Sequence, residues 1–205
     1  MTVRVKLWGT LACFTRPDLK AERVSYPVMT PSAARGAVEA IFWRPAVYWV
    51  VRQISVLRPI RFTSFRRNEV NDKASRDIEL FLADERRAQR NTLALRDVAY
   101  FVDVEPRLTS RAAPDETVAK FVDMLRRRVE RGQCFQQPYL GCREFAAGFG
   151  PQDGEQPIAE SLKLGHMLHD VEFANENRAH FFDALLENGI VRPPEPSWLG
   201  IDSSV

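Results

Sequence analysis

A run of apolar residues from Val47 to Leu57 constrains the fold of this chain most strongly. The run is rich in Val, Ile, Tyr and Trp, and its first residues are apolar on both faces of an extended chain. β-Branched and aromatic side chains favour strands, and a strand with two apolar faces is expected in the middle of a sheet. We therefore predict a central β-strand here, with a second strand following Pro59.

A helix is predicted ahead of this strand. Thr30 is a suitable N-cap residue, and Pro31 fits the first helical position, where its missing N–H costs nothing. Apolar residues recur beyond it at helical spacing, and Pro45 stops the helix near Trp43 or Arg44. This helix is expected to pack on a sheet.

A second helix is predicted from Asp115-Glu116 to Gly132, with arginines near its C-terminal end, where the helix dipole favours cations. At about 100° per residue, Lys120, Arg127 and Arg131 share the side opposite the apolar stripe. The dipole explains the arginines without any ligand, and a basic stripe that faces phosphates explains them equally well. The apolar stripe comprises Val118, Phe121, Val122, Leu125 and Val129.

Alternating apolar and basic residues over positions 2–8 predict a half-buried first strand, closed by Gly9. Two further strands, 93–95 and 98–104, are predicted to meet near Arg96-Asp97 as an antiparallel pair. The charged residues 71–92 are interpreted as an exposed excursion, helical around Ile78 to Leu82.

The predicted order is strand, helix, two strands, hairpin, helix and strand. This order is compatible with an α+β, ferredoxin-like βαββαβ core that carries a hairpin insertion. From Gly150 the chain is acidic and loop-rich, with a predicted hairpin around His166 to Phe173 and a short helix near Arg178 to Glu187. We therefore expect two parts, an N-terminal domain over residues 1–149 and a small acidic C-terminal subdomain over residues 150–205.

Length and composition exclude several protein classes. The 205 residues, 45% of them hydrophobic, suit a folded domain with a sizeable core. No stretch approaches the roughly 18 apolar residues of a membrane span, and the start lacks a secretory signal, so a cytoplasmic location without membrane contact is expected. Walker, GxGxxG, HExxH and GxSxG motifs are missing from the sequence, which leaves the corresponding enzyme classes without support.

Charge is distributed unevenly along the chain. Residues 1–70 hold 12 Lys and Arg against 4 Asp and Glu, whereas residues 146–205 hold 3 against 10. Arginine binds phosphate bidentately and stacks on bases, so arginine clusters beside aromatic residues suit RNA or DNA, although a solvated charged face is equally compatible. The two clusters comprise Arg58, Arg61, Arg66 and Arg67, and then Arg126, Arg127, Arg128 and Arg131.

Histidines and cysteines give little support to a metal site. His166 and His169 could share a metal on a helix, but the surrounding alternation predicts a strand, which places them on opposite faces. Cys13, Cys134 and Cys142 are an odd number without a CxxC pair, so buried free thiols are expected. The segment 132–145, rich in Gly, Cys, amides and aromatic residues, is interpreted as a packed structural loop.

Six segments in a fixed order carry a family resemblance. The segments are 12–17 (ACFTRP), 22–26 (ERVSY), 29–36 (MTPSAARG), 58–62 (RPIRF), 65–70 (FRRNEV) and 132–145. They resemble the Cas-five family of CRISPR-associated proteins, subtype I-C (Dvulg). The resemblance implies an RNA-recognition-like, RAMP-type ferredoxin domain with a smaller β-rich C-terminal part.

The resemblance also implies a reaction, the cleavage of precursor CRISPR RNA within its repeat. In such cleavage the 2′-OH beside the scissile bond attacks the phosphate and leaves a cyclic phosphate, without a metal or cofactor. The family's catalytic residues are a tyrosine late in the first helix and an adjacent Lys-His pair in the second. Here these positions hold Phe42, Lys120 and Phe121, so Lys120 is the candidate catalytic residue, and Tyr26, Tyr48 and Tyr139 are possible substitutes for the missing proton carriers.

Three hypotheses follow from the resemblance. The first is a metal-independent endoribonuclease that stays on the mature guide RNA within a type I-C interference complex. The second is a non-catalytic subunit that caps the guide RNA and holds neighbouring subunits, and the third is binding of double-stranded DNA by the same basic face. The acidic last third is expected to face away from nucleic acid or to contact a basic subunit. The predicted RNA-binding residues are Arg58, Arg61, Arg66, Arg67, Arg127 and Arg131, with Arg35 and Arg44 as weaker candidates.

Overall fold

The computed structural model describes residues 1–19, 22–70, 87–172 and 176–198, and these residues form a mostly antiparallel sheet with two helices. The predicted α+β class is confirmed. The elements are β1 (Val3–Ala12), β2 (Arg23–Val24), α1 (Pro31–Ile41), β3 (Val47–Val56), β4 (Phe62–Val70), β5 (Arg87–Leu108), α2 (Val118–Glu130), β6 (Gly148–Gly150), β7 (Leu162–Glu172), β8 (Arg178–Glu187) and β9 (Ile190–Val191).

The sheet has the strand order β6-β1-β5-β3-β9-β8-β7, and β2 and β4 pair with β5 outside this path. Every pair is antiparallel except β2 with β5. The long strand β5 connects most of the sheet, because it pairs with β4 near its start, with β1 in its middle and with β3 at its end.

The two helices pack on one face of this sheet. Val3, Val5 and Leu7 of β1 lie in the same buried cluster as the apolar stripes of α1 and α2. Side chains alternate between faces along a strand, so Lys6 and Trp8 of β1 lie on the opposite face, which the helices do not cover. The predicted alternation over residues 2–8 is confirmed, but β1 continues past Gly9 to Ala12 through its pairing with β5.

Helix α1 begins as predicted, because the Thr30 hydroxyl accepts a hydrogen bond from the backbone N–H of Ala33 and Pro31 occupies the first turn. The expected end near Trp43 or Arg44 is wrong, since the helix ends at Ile41 and Phe42 is extended. The last carbonyls of α1 find partners outside the helix, among them the indole N–H of Trp49, which donates to the Phe42 carbonyl at 3.1 Å. Such partners satisfy the groups that a helix end leaves unpaired.

Helix α2 is displaced by about one turn from its predicted start. Thr117 is the N-cap, its hydroxyl accepts from the Lys120 backbone N–H, and Asp115 and Glu116 precede the helix. Arg127 and Arg128 lie in its last turn, as the dipole argument predicts.

Two other predictions are wrong. The strands expected on either side of Arg96-Asp97 are one continuous strand, β5, in which Asp97 adopts a left-handed φ of 53°. The helix expected near Arg178 to Glu187 is strand β8, which pairs with β7 and β9. The excursion predicted over residues 71–92 lies outside the described residues as far as position 86, and residues 87–92 belong to β5. Among the described helices, none is long and apolar enough to cross a membrane.

Candidate nucleic-acid interface

The C-terminal end of α1 meets α2 at a contact between two buried aromatic rings. The ring centroids of Phe42 and Phe121 lie 6.2 Å apart, and each residue is only 1% exposed. The stripe of α2 predicts burial of Phe121, and this is confirmed. The two positions that the resemblance assigns to proton carriers therefore lie together in space, but their side chains face the core and present no polar atom.

Lys120 lies beside this contact on the exposed side of α2. Its side chain is 45% exposed, and its ammonium nitrogen lies 3.4 Å from a carboxylate oxygen of Asp115, which is itself 80% exposed. An ion pair between exposed groups contributes at most about 1 kcal/mol, so Asp115 holds the ammonium weakly. The lysine can therefore exchange this partner for a phosphate oxygen.

Arg127 and Arg131 continue the exposed side of α2, as predicted, whereas Arg128 turns inward. The Arg128 guanidinium donates to the Ile41 carbonyl at 2.9 Å and lies over the Phe42 ring, 5.2 Å from its centroid. Arg128 thus connects the end of α1 to α2, while Arg127 and Arg131 remain available to an anion.

Two large aromatic side chains that are not among the predicted site residues are exposed at the same end of α1. Trp43 is 52% exposed and Phe135 is 72% exposed. Phe135 is held there because its backbone N–H donates to the carbonyls of Ala40 and Ile41. Exposed aromatic faces near cationic side chains can stack on nucleobases. For Trp43, the sequence contains a signal that could have pointed to this surface: an aromatic residue stands directly before Arg44, just after the apolar stripe of the helix.

The β4–β5 hairpin carries Arg66 and Arg67. The Arg67 guanidinium lies over the rings of Phe65 and Phe145, at 4.6 and 5.4 Å from their centroids, and it forms an ion pair with Glu144. Arg66 is exposed on the same strand. Arg67 is therefore largely committed to packing within the protein, whereas Arg66 is accessible.

Arg58 and Arg61 lie between β3 and β4, and both are exposed. Arg58 reaches the sheet face opposite the helices, where it lines a cavity together with Lys6 and Trp8. The predicted RNA-binding arginines therefore do not form one patch: Arg127 and Arg131 lie on α2, Arg66 and Arg67 on the hairpin, and Arg58 beside the opposite face.

The tyrosines considered as substitute proton carriers differ in accessibility. Tyr26 is 2% exposed, and burial raises its pKa. Burial and the hydrogen bond that Tyr48 donates to Asp170 also raise the pKa of Tyr48. A phenol with a raised pKa holds its proton more firmly, so even less phenolate is present at neutral pH to act as a general base. Tyr48 and Tyr139 are both half-buried, but the Tyr48 hydroxyl is committed to Asp170.

Arg35, a weaker RNA-binding candidate, is committed to an internal ion pair. Its guanidinium donates to both carboxylate oxygens of Asp170 at 2.9 and 2.8 Å, and its side chain is only 13% exposed. This ion pair connects α1 to β7, and so it connects the helix layer to the sheet. Arg44 is exposed, like Trp43 beside it.

The histidines lie on the β7–β8 hairpin and face different surroundings. His166 is exposed, whereas His169 is 5% exposed and the carbonyl of Pro194 lies 2.9 Å from its Nε2. The expected strand and opposite faces are confirmed, but His169 is a core residue and not a surface one. No group of three or more potential metal ligands occurs in the described ranges.

The segment 132–145 is a packed loop, as predicted. Gly141 has a φ of +84°, and a Cβ at this position would lie 2.0 Å from the Cys13 carbonyl oxygen. The Cys142 thiol donates to the same carbonyl at 3.6 Å, and its interaction with the Cys13 thiol lowers the pKa of Cys142. Cys13 is buried, while Cys134 and Cys142 are half-buried, so the expectation of free thiols is confirmed and full burial is wrong for two of the three.

Comparison with known proteins agrees with this architecture. A family model described as CRISPR-associated protein (Cas_Cas5) matches residues 2–194. A protein of Mannheimia succiniciproducens named CRISPR pre-crRNA endoribonuclease Cas5d is 45% identical over 213 residues, which cover 94% of this chain and 94% of the relative. A protein of Thermus thermophilus with the same name is 45% identical over 175 residues, covering 85% of this chain and 75% of the relative.

Solved structures share the fold at low sequence identity. One, described as a CRISPR-associated protein, superposes with a TM-score of 0.72 at 20% identity and covers 95% of this chain and 92% of its own. A chain from a structure described as a CRISPR RNA-guided surveillance complex has a TM-score of 0.53 at 13% identity and covers 94% and 88%. These likenesses concern the fold alone. The family model and the two relatives show that the chain belongs to the Cas5 family of CRISPR-associated proteins, in its Cas5d branch.

Proposed function

We propose that this chain is an endoribonuclease that cleaves precursor CRISPR RNA within the repeat and stays bound to the guide RNA. The observation that carries the proposal is the 45% identity, over 94% of both chains, to a protein named CRISPR pre-crRNA endoribonuclease Cas5d. The exposed cations and aromatic rings at the α1–α2 contact suit a single RNA strand, because they can bind phosphates and stack bases.

The proposed reaction needs no metal. The 2′-oxygen beside the scissile bond attacks the phosphorus, the bond to the 5′-oxygen breaks, and the products are a 2′,3′-cyclic phosphate and a 5′-hydroxyl. The 2′-hydroxyl proton must leave and the departing 5′-oxygen must gain a proton. In this proposal Lys120, which is 45% exposed, is the cation that stabilises charge on the phosphorane, a role typically worth about 10²–10³-fold for one such contact. Tyr139 or water carries the protons in this proposal.

The test is a single-turnover assay with end-labelled cognate repeat RNA in excess EDTA. The unsubstituted protein should give one cut that ends in a cyclic phosphate. Lys120→Ala should slow the cut about 10²–10³-fold without comparable loss of RNA binding. Arg126→Ala is the matched control, because it removes an exposed cation from the same helix and should leave the rate near that of the unsubstituted protein.

Different results would contradict parts of this proposal. Cleavage that disappears in EDTA would contradict metal independence, and a Lys120→Ala rate equal to that of the unsubstituted protein would remove Lys120 from the site. A product with a 3′-hydroxyl would contradict 2′-OH attack.

A second candidate function is a guide-capping subunit without nuclease activity. The specific observation in its favour is the burial of Phe42 and Phe121 at 1% exposure, because neither side chain can transfer a proton. Tight repeat binding with no cut, in the presence or absence of divalent metal, would favour this candidate over the endoribonuclease.

The proposed partners are the precursor repeat, the mature guide RNA and other subunits of a type I-C interference complex. The similarity in fold to a chain of a CRISPR RNA-guided surveillance complex supports the assembly. Duplex DNA is an alternative ligand of the basic surface. Competition of labelled repeat RNA with unlabelled duplex DNA tests this, since phosphate contacts alone give both ligands similar salt dependence.

We also propose that the core is ferredoxin-like. The neighbouring strands β6, β1, β5 and β3 support this, because α1 connects β1 to β3 and α2 connects β5 to β6. The division into residues 1–149 and a β-rich acidic subdomain, residues 150–205, remains part of the proposal, with the acidic part facing away from RNA. Crosslinks from bound repeat RNA that map chiefly to residues 150–205 would contradict this placement.

A further inference from the structure

A cavity of about 800 Å³ lies on the face of the sheet that the helices do not cover. Its walls come from β1, β5, β6, the loop between β3 and β4 and the segment that follows β6, and they include Lys6, Trp8, Arg58 and Asp153. Cavities of about 300–1,000 Å³ are typical of small-molecule and cofactor sites. The volume is therefore sufficient for a nucleotide.

The floor of the cavity is shaped by glycine. Gly148 and Gly150 of β6 pair with Trp8 and Lys6 of β1, so all four residues lie on the same face of the sheet. A Cβ at Gly148 would lie 2.4 Å from the Trp8 indole, and therefore only glycine allows the indole to lie this close to β6. Trp8 nevertheless remains 42% exposed. The indole thus lies against β6, and part of it remains open to the cavity.

Two cations border this aromatic surface. The Lys6 side chain is 10% exposed, its ammonium lies 5.7 Å from the Trp8 ring centroid, and it forms ion pairs with Asp153 and Glu155. Burial alone would lower the pKa of Lys6, but the hydrogen bonds to these two carboxylates outweigh it and raise the pKa. Arg58 lies 3.1 Å from the same Glu155 carboxylate and is 55% exposed. The Glu155 carboxylate therefore forms ion pairs with both Lys6 and Arg58.

We propose that this cavity binds one nucleotide of single-stranded RNA, with its base stacked on Trp8 and its phosphate in place of the Glu155 carboxylate on Lys6 and Arg58. The proposal rests on the proposed RNA function and adds a second contact surface, separate from the α1–α2 contact. Among the described residues of the acidic part, only the segment 150–155 borders this second surface, and the rest is proposed to face away from RNA. Stacking on an aromatic ring accepts any base, so the site holds the strand without reading its sequence.

The chemistry of the cavity favours a nucleotide over other ligands. A half-exposed indole next to two cations matches a base joined to a phosphate, and the shared carboxylate of Glu155 occupies the position of an anion in the absence of RNA. Removing the charge of Glu155 should therefore free Arg58 and leave Lys6 paired with Asp153 alone, which makes both cations more available to phosphate and strengthens RNA binding.

Affinity for labelled cognate repeat RNA, measured by fluorescence anisotropy in excess EDTA, tests the site. Trp8→Ala should weaken binding about 5- to 150-fold, the range expected for loss of one stacked base, and Trp8→Phe should retain most of the affinity. Glu155→Gln should bind more tightly than the unsubstituted protein. Phe181→Ala is the matched control, because it removes another exposed aromatic side chain, on β8, and should bind like the unsubstituted protein.

Cleavage products are scored in the same samples, which separates the two proposals. Unchanged affinity of Trp8→Ala, alongside normal cleavage, would overturn the Trp8 site and leave the proposed function intact, whereas failure of the unsubstituted protein to bind the repeat would contradict the proposed function itself. Competition by low concentrations of adenosine monophosphate would assign the cavity to a free nucleotide and overturn the RNA assignment. Loss of assembly with other subunits but not of RNA binding in Trp8→Ala would assign it to a protein contact and overturn it as well.

Discussion

The rings of Phe42 and Phe121 contact each other inside the core, 6.2 Å apart between centroids, where the family resemblance implies a tyrosine and a histidine. Phe121→His would place an imidazole at a position that is 1% exposed. We expect the free energy of unfolding to fall by about 1–3 kcal/mol, because the polar ring would lack partners, and we expect no faster cleavage. Urea unfolding and the EDTA cleavage assay measure the two effects.

Phe121→Met is the control for this substitution, since it keeps an apolar side chain and should cost less than about 1.5 kcal/mol. Faster cleavage by Phe121→His at unchanged stability would show that the imidazole reaches the RNA. In that case a side chain at position 121 of α2, and not Tyr139 or water, would be able to carry the proton.

The buried pair of Arg35 and Asp170 gives the second prediction. Arg35 contacts both carboxylate oxygens, Tyr48 donates to the same group, and the Asp170 side chain is 6% exposed. Burial alone would raise the pKa of Asp170, but the Arg35 guanidinium outweighs burial and lowers it. Asp170→Asn should reduce the free energy of unfolding by up to about 3–5 kcal/mol, because it removes the more buried of the two carboxylates that pair with the Arg35 guanidinium.

Glu39→Gln is the matched control for Asp170→Asn, since Glu39 also pairs with Arg35 but lies one turn away on the same helix and is more exposed. A pair of this kind contributes only about 0.2–0.5 kcal/mol. If urea unfolding showed equal losses of unfolding free energy in the two variants, the contact with Asp170 would stabilise the protein no more than the contact with Glu39.

The buried His169 makes stability depend on pH. Desolvation lowers its pKa, although the contact with the Pro194 carbonyl and the charge of Asp170 oppose this, and the ring packs against Phe182 and Trp198. A group with a lowered folded pKa contributes stability above its unfolded pKa, about 6.5 for histidine, and loses it as the pH falls through the folded value. The melting temperature should therefore fall between pH 7 and pH 5.

His169→Phe should reduce this pH dependence, and His166→Phe should keep it, because His166 is exposed on the same strand. Thermal melts at half-unit steps of pH measure both. An equal slope in His169→Phe and the unsubstituted protein would assign the acid sensitivity to groups other than His169.

The sequence predicts elements with strong local signals and misses those that depend on distant pairing. Thr30-Pro31 defines the start of α1 because the cap and the proline act within one turn. In contrast, Asp97 resembles a turn residue and has a left-handed φ, yet β1, β3 and β4 pair along β5 on both sides of it and keep it one strand. Residues 178–187 contain good helix formers, but pairing with β7 and β9 overrides that local preference.

The candidate site was predicted only where its residues depend on local signals. The stripe of α2 locates Lys120, Arg127 and Arg131 correctly on the exposed side, because helical periodicity is local. The cavity beside Trp8 depends on the pairing of β1 with β6, which is separated from it by more than a hundred residues of sequence, and no local pattern reveals it. Arg58 was selected for its charge, and only the fold shows which surface it serves.

Two glycines with opposite requirements give the last prediction. Gly36 lies exposed inside α1, and a Cβ there would meet nothing within 4 Å, so Gly36→Ala should stabilise the protein by about 0.8–1.0 kcal/mol through helix propensity. Gly141 combines a φ of +84° with a Cβ position 2.0 Å from the Cys13 carbonyl oxygen. Gly141→Ala should cost more than about 2 kcal/mol, since left-handed strain alone is worth about 1–2 kcal/mol. Thermal melts should therefore show a rise of about 2–4 °C for Gly36→Ala and a larger fall for Gly141→Ala, and a fall for both would show that α1 does not tolerate the added methyl group.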